Sequence, residues 1–459
     1  MDNFVLSNIM KDAGAPLPYT VGKNPYAVRV LSRSIPPGDH SGQTKEMKKV
    51  KLTSDEILAL RETARRYAEI ASLPEQTERR LGWERFNTLC PERPRVLLDQ
   101  IPWNELNPDG CLDNHVMDPY WAQVETWMLR EIYKWEHMRA DMVVDPWIKV
   151  PLPVESSGWG LEARVTRLKM DRTSDVASQH MENLIREPED LEKIRVPVLT
   201  LKEEEKAEIA RWADVLFEGI LPWRFTGLVM HLGAWDTIAY WMGVENLYME
   251  LMDRPEMMHA LMEKMTEGYL SMIRQASDLR IMDTAEHYCH CSHTYRPDDP
   301  PPDPGTSHEA WAFGLAQPFT AVSPRITEEF ECAYMKRIFP HFRHIYYGCC
   351  DRLDDRLELV SALPNVRKIS CSPWSHREAF AEKLPKQIIM SNKPSPAFLA
   401  EDTFDEEAVR ADLRRTIQAA RKNGVQLEMI LKDISTVRYE PRRLWRFSEI
   451  ALEECMRGD

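Results

Sequence analysis

RHIYYGCCD (343–351), VRKISCSPWSH (366–376), KQIIMSNKPSP (386–396) and VQLEMILKDIST (425–436) repeat one pattern: a short apolar run, a polar turn, then an amphipathic stretch. A run of such strand-to-helix units is the signature of a parallel sheet. Each unit carries polar or reactive side chains where its strand stops. They are Cys349, Cys350 and Asp351, then His376, then Lys393, then Lys432 and Asp433. In a β/α barrel, chemistry collects at the C-terminal ends of the strands. The expected fold is therefore α/β, a (β/α)8 TIM-type barrel, and the loaded strand ends favour an enzyme or a small-molecule binder.

Working outward, further strands are expected at 94–104, 140–151, 227–234 and 281–294, with helices over 120–139, 236–244 and 244–275, the last broken at Pro255. Residues 153–210 read as an inserted loop and hairpin region. Asp405 caps a helix whose buried stripe is Val409, Leu413 and Ile417, and Asn423-Gly424 stop it. Met258, Met262, Met265, Tyr269, Met272 and Ile273 recur three or four apart and read as a core face. The proline-rich segment 298–305 leaves an expected strand end and suits a lid. Before the barrel, Ser54 and Asp55 can cap a helix through 58–71, and a second polar helix covers 78–89. Residues 1–50 read as an extended arm suited to wrapping a partner subunit, as in a homodimer. The division is 1–93, arm and helices, and 94–459, barrel.

The chain has 459 residues, 43% of them hydrophobic and 29% charged, enough for a sizeable core. A net charge of −14 disfavours a nucleic-acid backbone as partner. No run of 18 apolar residues suggests a membrane span, and the N-terminus lacks the basic and apolar regions of a secretory signal, so a cytoplasmic protein is expected. Nine cysteines, two of them adjacent, fit reduced thiols or metal ligands better than a disulfide framework.

Two segments carry the densest chemistry. In EHYCHCSH (286–293), read as a strand, Glu286 and His290 share one face and His287, Cys289 and Cys291 the other. Either face can supply zinc ligands; equally, the cysteines can be small core residues and the histidines hydrogen-bonded at a strand end. GCCD (348–351) turns at glycine and presents two thiols, suited to a soft metal or to packing. Lys393 and Lys432 can meet a substrate carboxylate or phenolate, or form structural ion pairs. His231 and Asp236 flank a glycine turn and read as structural. The motifs GxGxxG, GxxxxGK[ST] and HExxH are absent, which removes support for a dinucleotide site, a P-loop or a zincin.

RVLLDQIPWNELN (95–107), ENLYMELMDRPEM (245–257), WAFGLAQPFTAVSPR (311–325), YYGCCDRLDDRLELVSALPNVRKISCSPW (346–374), SNKPSPA (391–397) and LKDISTVR (431–438) together resemble the uroporphyrinogen decarboxylase superfamily. The likeness is strongest to its decarboxylase-like branch, which includes methyltransferases that work with corrinoid proteins. The resemblance covers 94–459 and implies a β/α barrel. LDQIPWNEL (98–106) has no arginine where true uroporphyrinogen decarboxylases bind substrate carboxylates, so tetrapyrrole decarboxylation is not expected. Thiol-methylating members carry a His-x-Cys zinc motif and a distant Cys; here YGC (347–349) lacks the histidine and Asn392 stands at the later strand. The corrinoid signature DxHxxG is absent, so the resemblance implies a corrinoid supplied by a partner protein.

The expected activity is the first step of demethylation: a methyl group moves from a small O-methyl (or N- or S-methyl) compound to the Co(I) corrinoid of that partner. Zinc held among Glu286, His287, Cys349 and Cys350, or a proton from His290, would activate the leaving group. His290, Asp351 and Lys432 are the expected catalytic residues; Trp103, Trp311, Tyr347 and Lys393 are expected to contact substrate. The alternatives are a cofactor-independent decarboxylase of a small aromatic or heterocyclic acid, and a non-catalytic barrel that carries a corrinoid or tetrapyrrole.

Overall fold

The computed structural model describes residues 52–90, 92–168, 178–300 and 303–457. The expected arm over 1–50 lies outside them. Helices α1 (Ser54–Ala71) and α2 (Pro74–Asn87) come first, and then β1 (Arg95–Leu98) and α3 (Pro119–Met138). Thr53, rather than Ser54 or Asp55, caps α1. Its hydroxyl accepts from the Glu56 amide, and the Glu56 carboxylate accepts from the Thr53 amide at 2.7 Å. The middle of the chain holds β2 (Ile148–Pro151), β3 (Trp223–Thr226), β4 (Met230–Leu232), α4 (Ala234–Met242), α5 (Pro255–Asp278) and the short strands β5 (Tyr288–Cys289) and β6 (Ser292–His293). The repeated units follow: β7 (Trp311–Gly314), β8 (His344–Tyr347), β9 (Val366–Cys371), β10 (Ile389–Asn392), α6 (Glu406–Lys422), β11 (Leu427–Leu431) and α7 (Arg442–Met456).

Seven strands form one parallel sheet in the order β1-β11-β10-β9-β8-β7-β4. Neighbours in space are neighbours in sequence, and the first strand lies beside the last. A doubly wound sheet reverses its order at a switch point, and this one does not. The winding suits a TIM-like wall. From β4 back to β1 the connection thins to the β2–β3 pair, a bridge between Leu228 and Met282, and the Asp141 amide donating to the Val96 carbonyl at 3.0 Å. Among the described residues no continuous ladder closes that side.

Strands buried on both faces are largely apolar, as LEMIL (427–431) is apart from Glu428. One face packs under the outer helices through Ile345, Tyr347, Ile369, Met390, Met429 and Leu431. The other looks inward through Leu97, Phe313, Tyr346, Ile389 and Ile430. The methionine face of α5 is buried core, as its spacing implies.

Two expectations are overturned. Residues 281–294 are not one strand. Only Met282 pairs with the wall, and β5 and β6 fold into an antiparallel hairpin turning at His290-Cys291. His290 has φ of +57°, as the first residue of a tight two-residue turn can require. The hairpin lies inside the sheet's curve, where Cys289 and Cys291 are fully buried. The described part of the expected lid does not lie at the exits either: Asp298 and Asp299 pair with Arg343, which precedes β8, at the strand starts.

The hairpin's base meets a buried ion pair. Lys368 on β9 donates to Glu428 on β11 at 2.9 Å and to Ser292 at 2.7 Å, with Trp83 of α2 beneath it. Removing one member strands the other charge. Glu428→Leu is expected to destabilise the protein by about 3–5 kcal/mol in urea unfolding, and adding Lys368→Met is expected to restore most of that loss.

Candidate functional site

The exits of β1, β4, β7, β8 and β11 converge on one group of side chains. Gly348 turns the chain after β8 with φ of +86°; a Cβ there would lie 2.7 Å from Leu353, so only glycine fits. The turn presents Cys349 and Cys350. Lys432, directly after β11, donates to the Cys349 sulfur at 2.9 Å and faces His290 Nε2 and Asp433 Oδ2, each at 3.3 Å. The Gln317 side chain, after β7, donates to the Cys350 sulfur at 3.1 Å. Gln100, His290 and Asp433 all have positive φ here, and such backbone strain gathers at ligand sites.

The electrostatics separate the two thiols. A hydrogen bond from Cys350 and the Lys432 charge hold the Cys349 thiol below its ordinary range, against burial. The same contact and burial push Cys350 up. Burial alone would lower Lys432, but Cys349 and Asp433 hold it well above its usual value. The Lys432 ammonium thus lies against a Cys349 thiol that is shifted toward its thiolate form. Burial and the nearby Lys432 and Lys393 keep His290 neutral.

His231 shows where solvent enters. It lies on β4 between buried Met230 and Leu232, which pack under the helices, yet its own side chain is exposed. It is in register with Phe313 and sits 5.1 Å from that ring, so it points inward. Its exposure on the inner face marks accessible space beside Phe313 at the edge of the sheet. Surrounding walls still desolvate it, lowering its imidazole to about 4. His290 stacks on the other side of this group, 3.9 Å from Phe313. Asp236, in the first turn of α4, is half-buried and accepts from the Gln317 amide at 3.2 Å.

Of the residues expected from sequence, Lys432, Cys349, Cys350 and His290 come together. Asp351 is adjacent, but it accepts from the Cys349 amide at 3.0 Å and ion-pairs with buried Arg356, so it holds the turn and is not placed to act as an acid. Lys393 folds back inside, donating to Tyr346 and Ser391. The others lie elsewhere. Trp103 packs on α3, edge-on to Tyr133 and under Arg130. Trp311 begins β7 at the strand-start end, 5.8 Å from Lys368. Tyr347 points into the helical layer and donates to Glu331; by alternation Tyr346 is the inward tyrosine.

Glu286 and His287 are not near the cysteines. Lys149 binds the Glu286 carbonyl, and His287 faces Asp299 at 3.4 Å and stacks on Tyr295. His287 and Trp311 border only a void of about 20 Å³, room for about one water. A catalytic zinc needs about three protein donors. Among the described residues no three His, Cys, Asp or Glu side chains gather with metal-site spacing, so the expected zinc ligands do not fit the ion.

The sequence reading took His231 and Asp236 as structural and did not single out Gln317 or Phe313. For His231 a signal exists: it is a lone polar residue alternating with Met230 and Leu232 just before a strand ends.

No family model matches the chain, and no curated protein matches it. Among solved structures, a methyltransferase from Methanosarcina mazei superposes with a TM-score of 0.48 at 9% identity, covering 82% of this chain and 98% of that one. That likeness concerns the path of the chain and carries no conclusion about chemistry. No helix among the described residues is long and apolar enough to cross a membrane.

Burial raises Asp236, Glu331 and Glu286 to about 8. Unfolded, such acids titrate near 4, so between about pH 4 and 8 unfolding releases protons. These groups therefore make stability fall as pH rises through that window. Asp236→Asn and Glu331→Gln are each expected to flatten the decline in Tm, measured calorimetrically across it.

Proposed function

We propose that the chain is a methyltransferase moving a methyl group from a small methylated compound, an O-methyl one before an N- or S-methyl one, to the Co(I) corrinoid of a partner protein. The observation that carries the reading is the Lys432–Cys349 pair at the strand exits, beside the accessible space bordered by His231, His290 and Phe313. The corrinoid and its carrier rest on the sequence resemblance. A methyl donor fits with its heteroatom inside and its methyl toward the mouth, where a bulky acceptor carried on another protein can approach.

Charge develops on the leaving atom as the carbon–heteroatom bond stretches. A fixed ammonium in a dry site stabilises that charge without reorganising. Lys432 is suited to this because Cys349 and Asp433 keep it charged. Its 3.3 Å contacts with His290 and Asp433 are the ones a substrate atom can replace. Asp351 and Arg356 fix the turn that carries Cys349. A pairing arm that makes a homodimer and a cytoplasmic location remain part of this reading.

The buried Lys432 cation also favours a second reading, decarboxylation of a small aromatic or heterocyclic acid, with the substrate carboxylate beside the ammonium. The two separate on product. The full chain is incubated under reductant with free cob(I)alamin and a panel of methoxy-, methylamino- and methylthio-compounds, and methylcobalamin is followed by its spectrum. Methylcobalamin formation above the protein-free rate is expected, with Lys432→Met lowering kcat at least about 100-fold. Carbon dioxide release from aromatic acids without methyl transfer establishes the second reading instead. Binding with no turnover of either kind leaves a carrier. Uroporphyrinogen is expected to yield no coproporphyrinogen.

A further inference from the structure

With no group of zinc ligands among the described residues, the poor leaving group of an ether calls for another electrophile here. Most groups at the pocket are unsuited to give a proton. His231 and His290 are neutral imidazoles. Lys432 donates to the Cys349 sulfur, which holds its proton in place. Asp351 is an ion-paired carboxylate, and Cys350 keeps its proton too tightly.

Asp236 differs in position. Gly233 ends the exit of β4, where a Cβ would lie 2.8 Å from the His231 ring. The chain turns straight into α4 there, and Asp236 stands in the first turn of that helix, half-buried, on the side of Gln317. Gln317 binds it through its backbone and Cys350 through its side chain, which ties the carboxyl to the Cys349–Lys432 pair. The ionisable groups around it are Asp351, Cys349 and Arg356 after β8, Glu331 from the helical layer, and Tyr269 of α5. Arg356 is the one cation among them, and it is committed to Asp351 at 2.5 Å. Burial and these negative neighbours keep the carboxyl neutral up to about pH 8.

We propose that Asp236 gives the proton to the leaving oxygen of the methyl donor, which assigns the substrate to methyl ethers rather than sulfonium or quaternary ammonium compounds. This inference rests on the methyl-transfer reading. The acceptor, a two-electron nucleophile of the Co(I) corrinoid class, donates its electron pair to the methyl carbon. The carbon–oxygen bond breaks, its electron pair stays on oxygen, and that oxygen takes the Asp236 proton. The products are the methylated acceptor, an alcohol or phenol, and the Asp236 carboxylate, which regains its proton from water. An onium donor leaves as a neutral molecule and needs no such acid.

The test compares two methyl ethers with the full chain and free cob(I)alamin. From 2-methoxyphenol the leaving oxygen needs a proton; from 4-nitroanisole it leaves as a stable phenolate. Asp236→Asn is expected to lower kcat by about 100-fold or more on 2-methoxyphenol and only a few-fold on 4-nitroanisole. The native kcat on 2-methoxyphenol is expected to fall as pH rises past about 8, and the variant's to lose that limb. Equal losses on both ethers, or none, overturn the proposal. If the native chain turns over only onium or methylthio donors, the proposal fails while the methyl-transfer reading stands. If it turns over no methyl donor, both fail.

Discussion

The hairpin at 288–293 sits inside the curve of the parallel sheet, and much of the interior is arranged around it. Its base ends on the Lys368–Glu428 pair above Trp83, so the strand-start end is filled with a buried ion pair and aromatic packing. Its tip lifts His290 to the strand exits, beside Phe313 and Lys432. The interior is therefore closely packed below, while the exposed His231 lies toward the strand exits. Chemistry at the strand exits is the general arrangement on β/α barrels, whose winding this sheet shares.

Three lysines inside one wall require three separate solutions, because an unpaired buried ammonium is costly. Lys368 meets a carboxylate. Lys393 meets hydroxyls, at Tyr346 and Ser391. Lys432 meets the Cys349 sulfur and the Asp433 carboxylate. Cys350 and Lys432 both shift the Cys349 thiol toward its thiolate form. The outcome is a buried positive charge at the strand exits, against a turn that Asp351 and Arg356 hold in place.

The winding of the sheet was legible in the sequence because its later strands are short, largely apolar runs separated by helical stretches; the α6 cap at Asp405 and its stop at Asn423 fall where the residues imply. The far side was not legible. There the strands shorten to single bridges, and period alone cannot tell a wall strand from a hairpin folded inward, which is why 281–294 was misread. The site was legible where a reactive residue follows directly on a strand, as with Cys349 and Lys432. It was obscured where facing decides. Tyr347 was expected at the pocket, but Tyr346 is the residue that faces inward, since one residue along a strand reverses the face. Trp103 and Trp311 were chosen for their chemistry, with no information on which end or layer they occupy. Glu286 and His287 are close to Cys289 in sequence, but the hairpin carries them away from Cys349.

The central claim is that the Lys432–Cys349 pair faces a substrate pocket at the strand exits. A crystal structure of the protein soaked with 2-methoxyphenol tests it most directly. The expected result is the ring beside His231 and Phe313, its methoxy oxygen within hydrogen-bond reach of Lys432 or Asp236, and its methyl toward the mouth. A ligand bound only elsewhere, with the Lys432 side chain closed off from solvent and from the ligand, would contradict the account.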